Sequence, residues 1–437
     1  MSLTTSDFLA AWWTIAVGTL SNASCAILGC YLLLRRMSLL GDAISHAILP
    51  GIAIAFLLTG KIASFPIFLG AMGIGVLTAF LTQLIHRGGV TEDASLGVVF
   101  TSLFAIGVIM VSAIHSVDLD PGCVLYGLID AVPLTTQPFL GFEVPPAVGT
   151  MGSVLIVVLL FVNIFWKELK LVSFDPDLAT SMGISATLVH YLLMAMVAGV
   201  TVTSFEAVGA ILVVAMLIVP AATAHLLTDR LWSMMLVAVG VGFLSSLFGY
   251  IGALLLDTSV AGMMSVVAGL LFLLAVFFSP RYGVVSKVWH NLALTLRISG
   301  EDIIATIYRA EERAGGKTSG AGIGLGESLR AAGGGIVGWL AVAGFWWQGL
   351  LDCRGSLLIL TPDGRRRARS LVRSHRLWEL FLEENVELPL DHLHDPAERV
   401  EHFIDRHLQE ELNDVLESPR KDPHGRPIPP LDSMDEA

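Results

Sequence analysis

Gly41-Asp42-Ala43-Ile44-Ser45-His46-Ala47-Ile48-Leu49-Pro50-Gly51 sets a carboxylate and an imidazole into an apolar stretch that continues to residue 59. Whether these two groups face water or lipid decides the fold. At membrane depth an ionisable side chain costs at least about 2.5 kcal/mol on insertion scales, so it needs a partner or a polar cavity. Spacing i,i+4 puts Asp42 and His46 on one helix face. There they suit two arrangements. They can share a divalent cation such as Mn²⁺ or Zn²⁺, or Asp42 can cap the helix while His46 hydrogen-bonds a backbone carbonyl.

The surroundings choose lipid. Of 437 residues, 54% are hydrophobic and 15% charged, against about 25% charged in soluble domains. The charge is also divided unevenly. Residues 1–299 hold 14 Asp/Glu and 10 Lys/Arg, and the remaining 138 hold 24 and 16. The first part reads as membrane and the second as a soluble domain. A net charge of −12 argues against non-specific nucleic-acid affinity. The four cysteines are scattered and form no CxxC pair or disulfide framework.

Spans of roughly 20 apolar residues fall near 8–34, 41–59, 64–86, 92–115, 151–166, 184–203, 207–228, 231–251 and 258–279, which gives eight or nine crossings. No cleavable leader is expected, because the first span is long and lacks a basic start. Arg35, Arg36, Arg87, Lys167, Lys170, Arg230, Arg281 and Lys287 follow alternate spans. With nine crossings all of these ends are cytoplasmic, which puts the N-terminus outside and the C-terminus inside; only Lys61 dissents. The loop 116–150 then lies outside, with Asp118, Asp120, Asp130 and Glu143 and no cation. Glu206 is expected to open the seventh span and His225 to close it. They can share an ion only if that helix breaks, for which Pro220 is the candidate. Between spans five and six, Ser173 to Ile184 is short and polar, with Pro176 early and Gly183 late. It reads as a short helix on the cytoplasmic face or as a plain interfacial turn.

Three of these stretches carry a resemblance. Gly41–Gly51, Phe205–Leu212 continuing into Leu217–Ala224, and Phe174–Asp177 resemble the ABC-type manganese/zinc/iron permease family, over about residues 8–283. The resemblance implies a homodimer in the bilayer of a bacterial inner membrane, a separate ATP-binding subunit and an extracellular or periplasmic metal-binding protein. It places Asp42, His46, Glu206 and His225 on the metal path. It makes Asp175, Pro176, Asp177 and Gly183 part of the segment that couples to the ATPase. The chain has no Gly-x-x-x-x-Gly-Lys-Ser/Thr phosphate loop, so it is expected to be a transport subunit and not an enzyme.

The tail reads differently. Ile303, Ile304, Ile307 and Tyr308 form a helical stripe. Gly315 to Gly326 is a loop with six glycines. Residues 349–360 read as a β-hairpin around Arg354-Gly355, and Thr361-Pro362-Asp363-Gly364 opens a basic helix. His375 and Glu379 are i,i+4 on that helix. His394, Glu398, Glu401 and His402 follow on one face of another. Carboxylates with imidazoles make an O/N site suited to Mn²⁺ or Fe²⁺, although acidic helices with histidines are also ordinary solvated faces.

A second resemblance covers about residues 300–430. Leu360–Gly364, Ser374–Glu379, His394-Asp395 with Glu401-His402, and Asp422–Pro429 resemble the metal-dependent repressors of the diphtheria-toxin-repressor and manganese-repressor type. It implies one metal site at Asp302, Glu398, Glu401 and His402, with His375, Glu379 and His394 as ancillary ligands. A second acidic ligand expected on the first helix is Ala305 here. The stretch matching the DNA-reading helix, 333–347, has no charge and opens with three glycines, so no DNA binding is expected. Residues 331–351 are 21 uncharged residues, long enough to span; the flanking helix and hairpin fit a winged helix better.

The expected fold is mainly α: a polytopic permease over 1–283, a linker over 284–300, a degenerate winged helix over 301–366, and a helical metal-binding and dimerisation domain over 367–437 with a flexible tail. The expected function is import of manganese, or of zinc or iron, with a cytoplasmic metal sensor that regulates it. The alternative is a membrane-tethered, metal-dependent transcription regulator.

Overall fold

The computed structural model describes residues 5–37, 39–59, 64–113, 129–139, 142–314, 322–386 and 388–431. Lys61, Asp118, Asp120, the loop 315–321 and the final residues 432–437 lie outside the described residues. The chain divides into two compact units, Met1–Ser286 and Lys287–Ala437.

Among the described residues of the first unit, eight helices are long and apolar enough to cross a bilayer: Ala10–Leu34, Phe68–Arg87, Asp93–Ala113, Pro146–Ile164, Ala186–Val208, Ala210–Leu227, Leu231–Leu256 and Val260–Phe278. The segment 41–59, expected as one span, is two shorter helices, Leu39–Ala47 and Leu49–Thr59, with a turn at Ile48. Pro50 accounts for the break. It has no N–H to offer the His46 carbonyl four residues back, and its ring crowds that carbonyl.

Small residues let these helices approach closely, as they must where lipid removes the hydrophobic drive for association. A Cβ at Gly29 would stand 1.8 Å from the Leu217 carbonyl oxygen, and one at Gly51 2.5 Å from that of Gly70. Buried Asn22 donates from Nδ2 to the Gly242 carbonyl (3.2 Å) and to Ser245 Oγ (3.1 Å), tying the first long helix to Leu231–Leu256. The perimeter exposes Ile109, Ile164, Leu255 and Phe278, the apolar surface that acyl chains solvate.

The helix Val284–Arg313 runs through the stretch expected as a linker, and all but its first three residues belong to the second unit. Its Ile303, Ile304 and Ile307 pack against Ala341, Phe345, Leu358 and Leu360. The expected hairpin forms from Leu351–Arg354 and Leu357–Leu360, with Cys353 opposite Leu358 and Gly355 at φ 66° in the turn. A third strand, Ile323–Gly324, adds to its second strand. The glycines at 333–335 lie at a helix boundary. With φ of 77°, 73° and 64° they form the turn between Leu325–Ala331 and Gly335–Trp347, a left-handed path that side chains with a Cβ resist. Helix, turn, helix and hairpin are the parts of a winged helix. Pro362–Val386, His394–Val400 and Arg406–Val415 then complete the unit.

Candidate metal centres

In the membrane unit, Asp42 and His46 share the helix Leu39–Ala47. The Asp42 side chain lies outside the described part of the structure. His46 is exposed just before the break, its ring edge-on to Phe104 at 6.0 Å and tilted to Phe100 at 6.2 Å. The helix is set by Gly41, where a Cβ would meet Leu217 at 1.9 Å.

Glu206 sits in the last turn of Ala186–Val208 and does not open the following span. The reason is Gly209, whose φ of 85° ends one helix and admits the next. Ala210–Leu227 runs unbroken through Pro220, so roughly 22 Å of helix separates its start from His225 in its last turn. The structure therefore does not bring Glu206 and His225 together. Glu206 lines a cavity of about 760 Å³ with Thr150, Met151, Ser153 and Thr203.

Asp175 caps the short helix Pro176–Ser181, accepting from the Leu178 N–H at 2.9 Å. Gly183 follows at φ 84°. Asp175, Pro176 and Asp177 are exposed, as are the apolar Phe174, Leu178 and Met182.

In the second unit two donor groups form, His375 with Glu379 and His394, and Asp302 with Glu401 and His402. In the first, His375 Nε2 stands 3.0 Å from Glu379 Oε1 and 3.0 Å from His394 Nδ1, and those two are 3.2 Å apart. Three donors about 3 Å apart are one face of an octahedron with bonds of about 2.1 Å. In the second, His402 Nε2 lies 3.2 Å from Asp302 Oδ1 and 4.0 Å from Glu401 Oε1. Glu401 also joins the groups, because its Oε2 contacts His375 Nδ1.

Glu398 joins neither group among the described residues and is exposed. The face expected for 394, 398, 401 and 402 does not exist as one surface. The α-helix stops at Val400 and a 3₁₀ turn, Glu401–Phe403, turns the last two donors elsewhere. Ala305 is buried and packs with Leu371 and Val372.

One candidate side chain, Glu301, is not among those the sequence singles out. Glu301 Oε2 accepts from His402 Nδ1 at 2.8 Å and so aims Nε2 at the donor group. This is the carboxylate–imidazole pairing that fixes a ligand's tautomer and orientation. Arg367 holds Glu301 at 2.6 Å. Its signal was adjacency to Asp302, but a helix alone does not say which of two neighbouring acids turns inward. The closing motif has a mechanical role. Asp422 Oδ1 accepts from the backbone of His424 and Arg426, while Arg376 binds Glu312 at 2.6 Å and Arg373 binds the Pro429 carbonyl at 2.6 Å.

The electrostatics suit cation binding. Burial disfavours a charged His402, yet hydrogen bonds to Asp302 and Glu301 and the Glu401 charge outweigh it and push the ring up to about 9. His375 is likewise opposed by burial but raised by Glu379 and Glu401. Glu379 and Glu301 are pushed up by burial, yet held below the ordinary carboxylate range by their histidine partners. Each site thus holds protons that a divalent ion can replace. The residues fit such an ion: all donors are oxygen or imidazole nitrogen, and buried His375 Nδ1 has no well-formed hydrogen bond despite its contact with Glu401. When bound, the ion supplies positive charge that fixes both groups around Glu401.

A polytopic bundle with a broken, ionisable helix, followed by a helical domain with two O/N donor groups, defines a membrane transport subunit joined to a metal-binding domain. The family model described as the ABC 3 transport family matches residues 7–279, and the chain belongs to that family. The model described as iron dependent repressor, metal binding and dimerisation domain matches residues 361–430. The manganese transport system membrane protein MntD of Bacillus subtilis is 46% identical over 290 residues, 66% of this chain and 98% of that protein. The zinc transport system membrane protein TroD of Treponema pallidum is 38% identical over 284 residues, 64% of this chain and 77% of that protein. The solved structure of PsaBC from Streptococcus pneumoniae in complex with Fab is similar at 34% identity and a TM-score of 0.53, covering 64% of this chain and 94% of that one.

Proposed function

We propose that this chain is the membrane subunit of an importer for a divalent transition metal, manganese before zinc or iron, and that its second unit senses the imported metal in the cytoplasm and lowers transport when the cell is replete. The observation that carries the transport reading is the 46% identity across 98% of a manganese transport membrane protein. The halves of Leu39–Thr59 together measure about 31 Å at 1.5 Å per residue, so they read as one broken crossing. Broken helices are where ions are held near the bilayer midplane, and His46 stands at the break. Counted as a crossing, this pair keeps the basic span ends on the cytoplasmic side.

With no phosphate loop, the chain draws its energy from a separate ATP-binding subunit. The exposed, capped helix Pro176–Ser181 with Phe174, Leu178 and Met182 at its flanks supports docking of that subunit there. A metal-binding protein outside and a second copy of this chain complete the assembly. For the second unit, a sulfur-free donor set favours Mn²⁺ or Fe²⁺ over softer ions. DNA reading is disfavoured, since Gly335–Trp347 offers no guanidinium to bases and no lysine to phosphates. Uptake of radiolabelled manganese, zinc and iron by cells with and without the protein tests the reading. Loss confined to manganese is expected, and unchanged uptake of all three would overturn it.

A further inference from the structure

The helix Gly335–Trp347 presents its outer face at i, i+3, i+4, i+7, i+10 and i+11: Ile336, Trp339, Leu340, Ala343, Trp346 and Trp347, all exposed. Ile336 is 79% and Trp347 88% exposed. The opposite face, Gly338, Ala341, Val342 and Phe345, is buried in the winged-helix core. The helix is therefore apolar on both sides, and the core covers only one. In a unit where 40 of the 138 residues from 300 onward are charged, such a face needs an apolar surface to lie against.

We propose that this face is a membrane-surface site, lying in the headgroup–acyl boundary of a lipid bilayer. Three features favour lipid over a protein partner. Three of its six positions are tryptophan, the side chain whose apolar ring and single N–H donor suit that boundary. The face carries no charged residue of its own to orient a partner, and the hollow beside it, lined by Arg297, Gly344, Gln348 and Arg367, takes in only Leu340 of the six. Bilayer is also within covalent reach, since the last membrane-crossing helix ends at Phe278 and the winged-helix core begins near Leu296. Between them the helix Val284–Arg313 exposes Val288, Trp289 and Leu292, the same chemistry at helical spacing.

At 13 residues the helix is too short to span, and its buried face is already committed. The exposed charges Glu327 and Arg330 on one neighbouring element and Asp352 and Arg354 on the other cancel, and Arg297 and Arg367 beside Leu340 are both turned to Glu301, at 3.8 and 2.6 Å. Attachment is then apolar and independent of anionic lipid. The inference rests on the chain's membrane helices and not on the metal-sensing reading.

The test uses the full chain in nanodiscs of zwitterionic lipid. Ala343→Cys, with Cys123→Ser and Cys353→Ser, carries an environment-sensitive fluorophore, and Asp414→Cys in the same background is the control. Lipids bearing a nitroxide at a shallow or a deep acyl position are the quenchers. The expected result is several-fold stronger quenching at 343 by the shallow nitroxide than by the deep one, and little at 414. Adding Trp339→Glu, Trp346→Glu and Trp347→Glu should reduce quenching at 343 to the control level, with an unchanged far-ultraviolet circular dichroism spectrum as evidence of folding. Equal quenching at 343 and 414 would overturn the proposal. So would stronger quenching by the deep nitroxide, which means a span. So would label-to-label contact between copies without lipid quenching, which means a protein interface.

Discussion

The membrane unit and the tail treat the same kind of donors in opposite ways. His46 is exposed beside two phenylalanine rings at a helix break. His375 is buried and the His402 side chain is 3% exposed, with three donors gathered near 3 Å in one group and an orienting carboxylate behind the other. A conduit must bind weakly enough to release its ion, whereas a sensor gains from a rigid, pre-oriented set. The contrast supports the proposed division, passage in the first unit and retention in the second.

The largest effect is expected at the conduit. Asp42→Asn should abolish metal-dependent growth and manganese uptake while the protein still reaches the membrane. Wild-type uptake in that variant would break the contrast at its first term.

In the tail, Glu401→Ala with His402→Ala removes the carboxylate that touches both groups and one imidazole. Titration of the purified full chain with Mn²⁺ should show the tail sites lost. Retained affinity would mean that the donors gathered around Glu401 are a charge cluster and not a metal centre.

Glu301→Gln sharpens the same point with a smaller effect. The amide still fills the space but orients His402 poorly, so Mn²⁺ affinity should fall roughly 10–100-fold with the site intact at saturation. An unchanged affinity would reduce Glu301 to a partner of Arg367.

The smallest effect is on pH. His402 is raised to about 9, so at neutral pH its ring is charged in the metal-free protein and binding must expel that proton. Affinity should therefore rise as pH climbs toward 9 and fall below neutrality. Calorimetry in buffers of different ionisation enthalpy should record proton release at pH 7; binding without release would place the ion away from His402.

Hydropathy alone located all eight long helices, because about 20 apolar residues in a row admit few other structures. It could not divide 41–59, because the division depends on where one proline meets one carbonyl. It also put Glu206 on the wrong side of a boundary, since apolar runs on both sides of Gly209 look continuous. In the tail the donor residue types were legible from spacing. Their grouping was not: an α-to-3₁₀ change at Glu401 sends His394 to one group, Glu401 and His402 to the other, and leaves Glu398 outside. Glu301 stayed hidden because its role exists only once Val284–Arg313 packs near His402.

Manganese uptake by cells carrying the wild-type chain or the Glu401→Ala, His402→Ala variant, measured at low and at high external manganese, tests the central claim most directly. A site regulates only if the ion binds the two transport states unequally, and couplings of about 1–3 kcal/mol change activity roughly 5–150-fold. The account predicts that the variant matches wild type at low manganese and exceeds it severalfold at high manganese. Equal uptake at high manganese, in a variant shown to have lost tail binding, would contradict it.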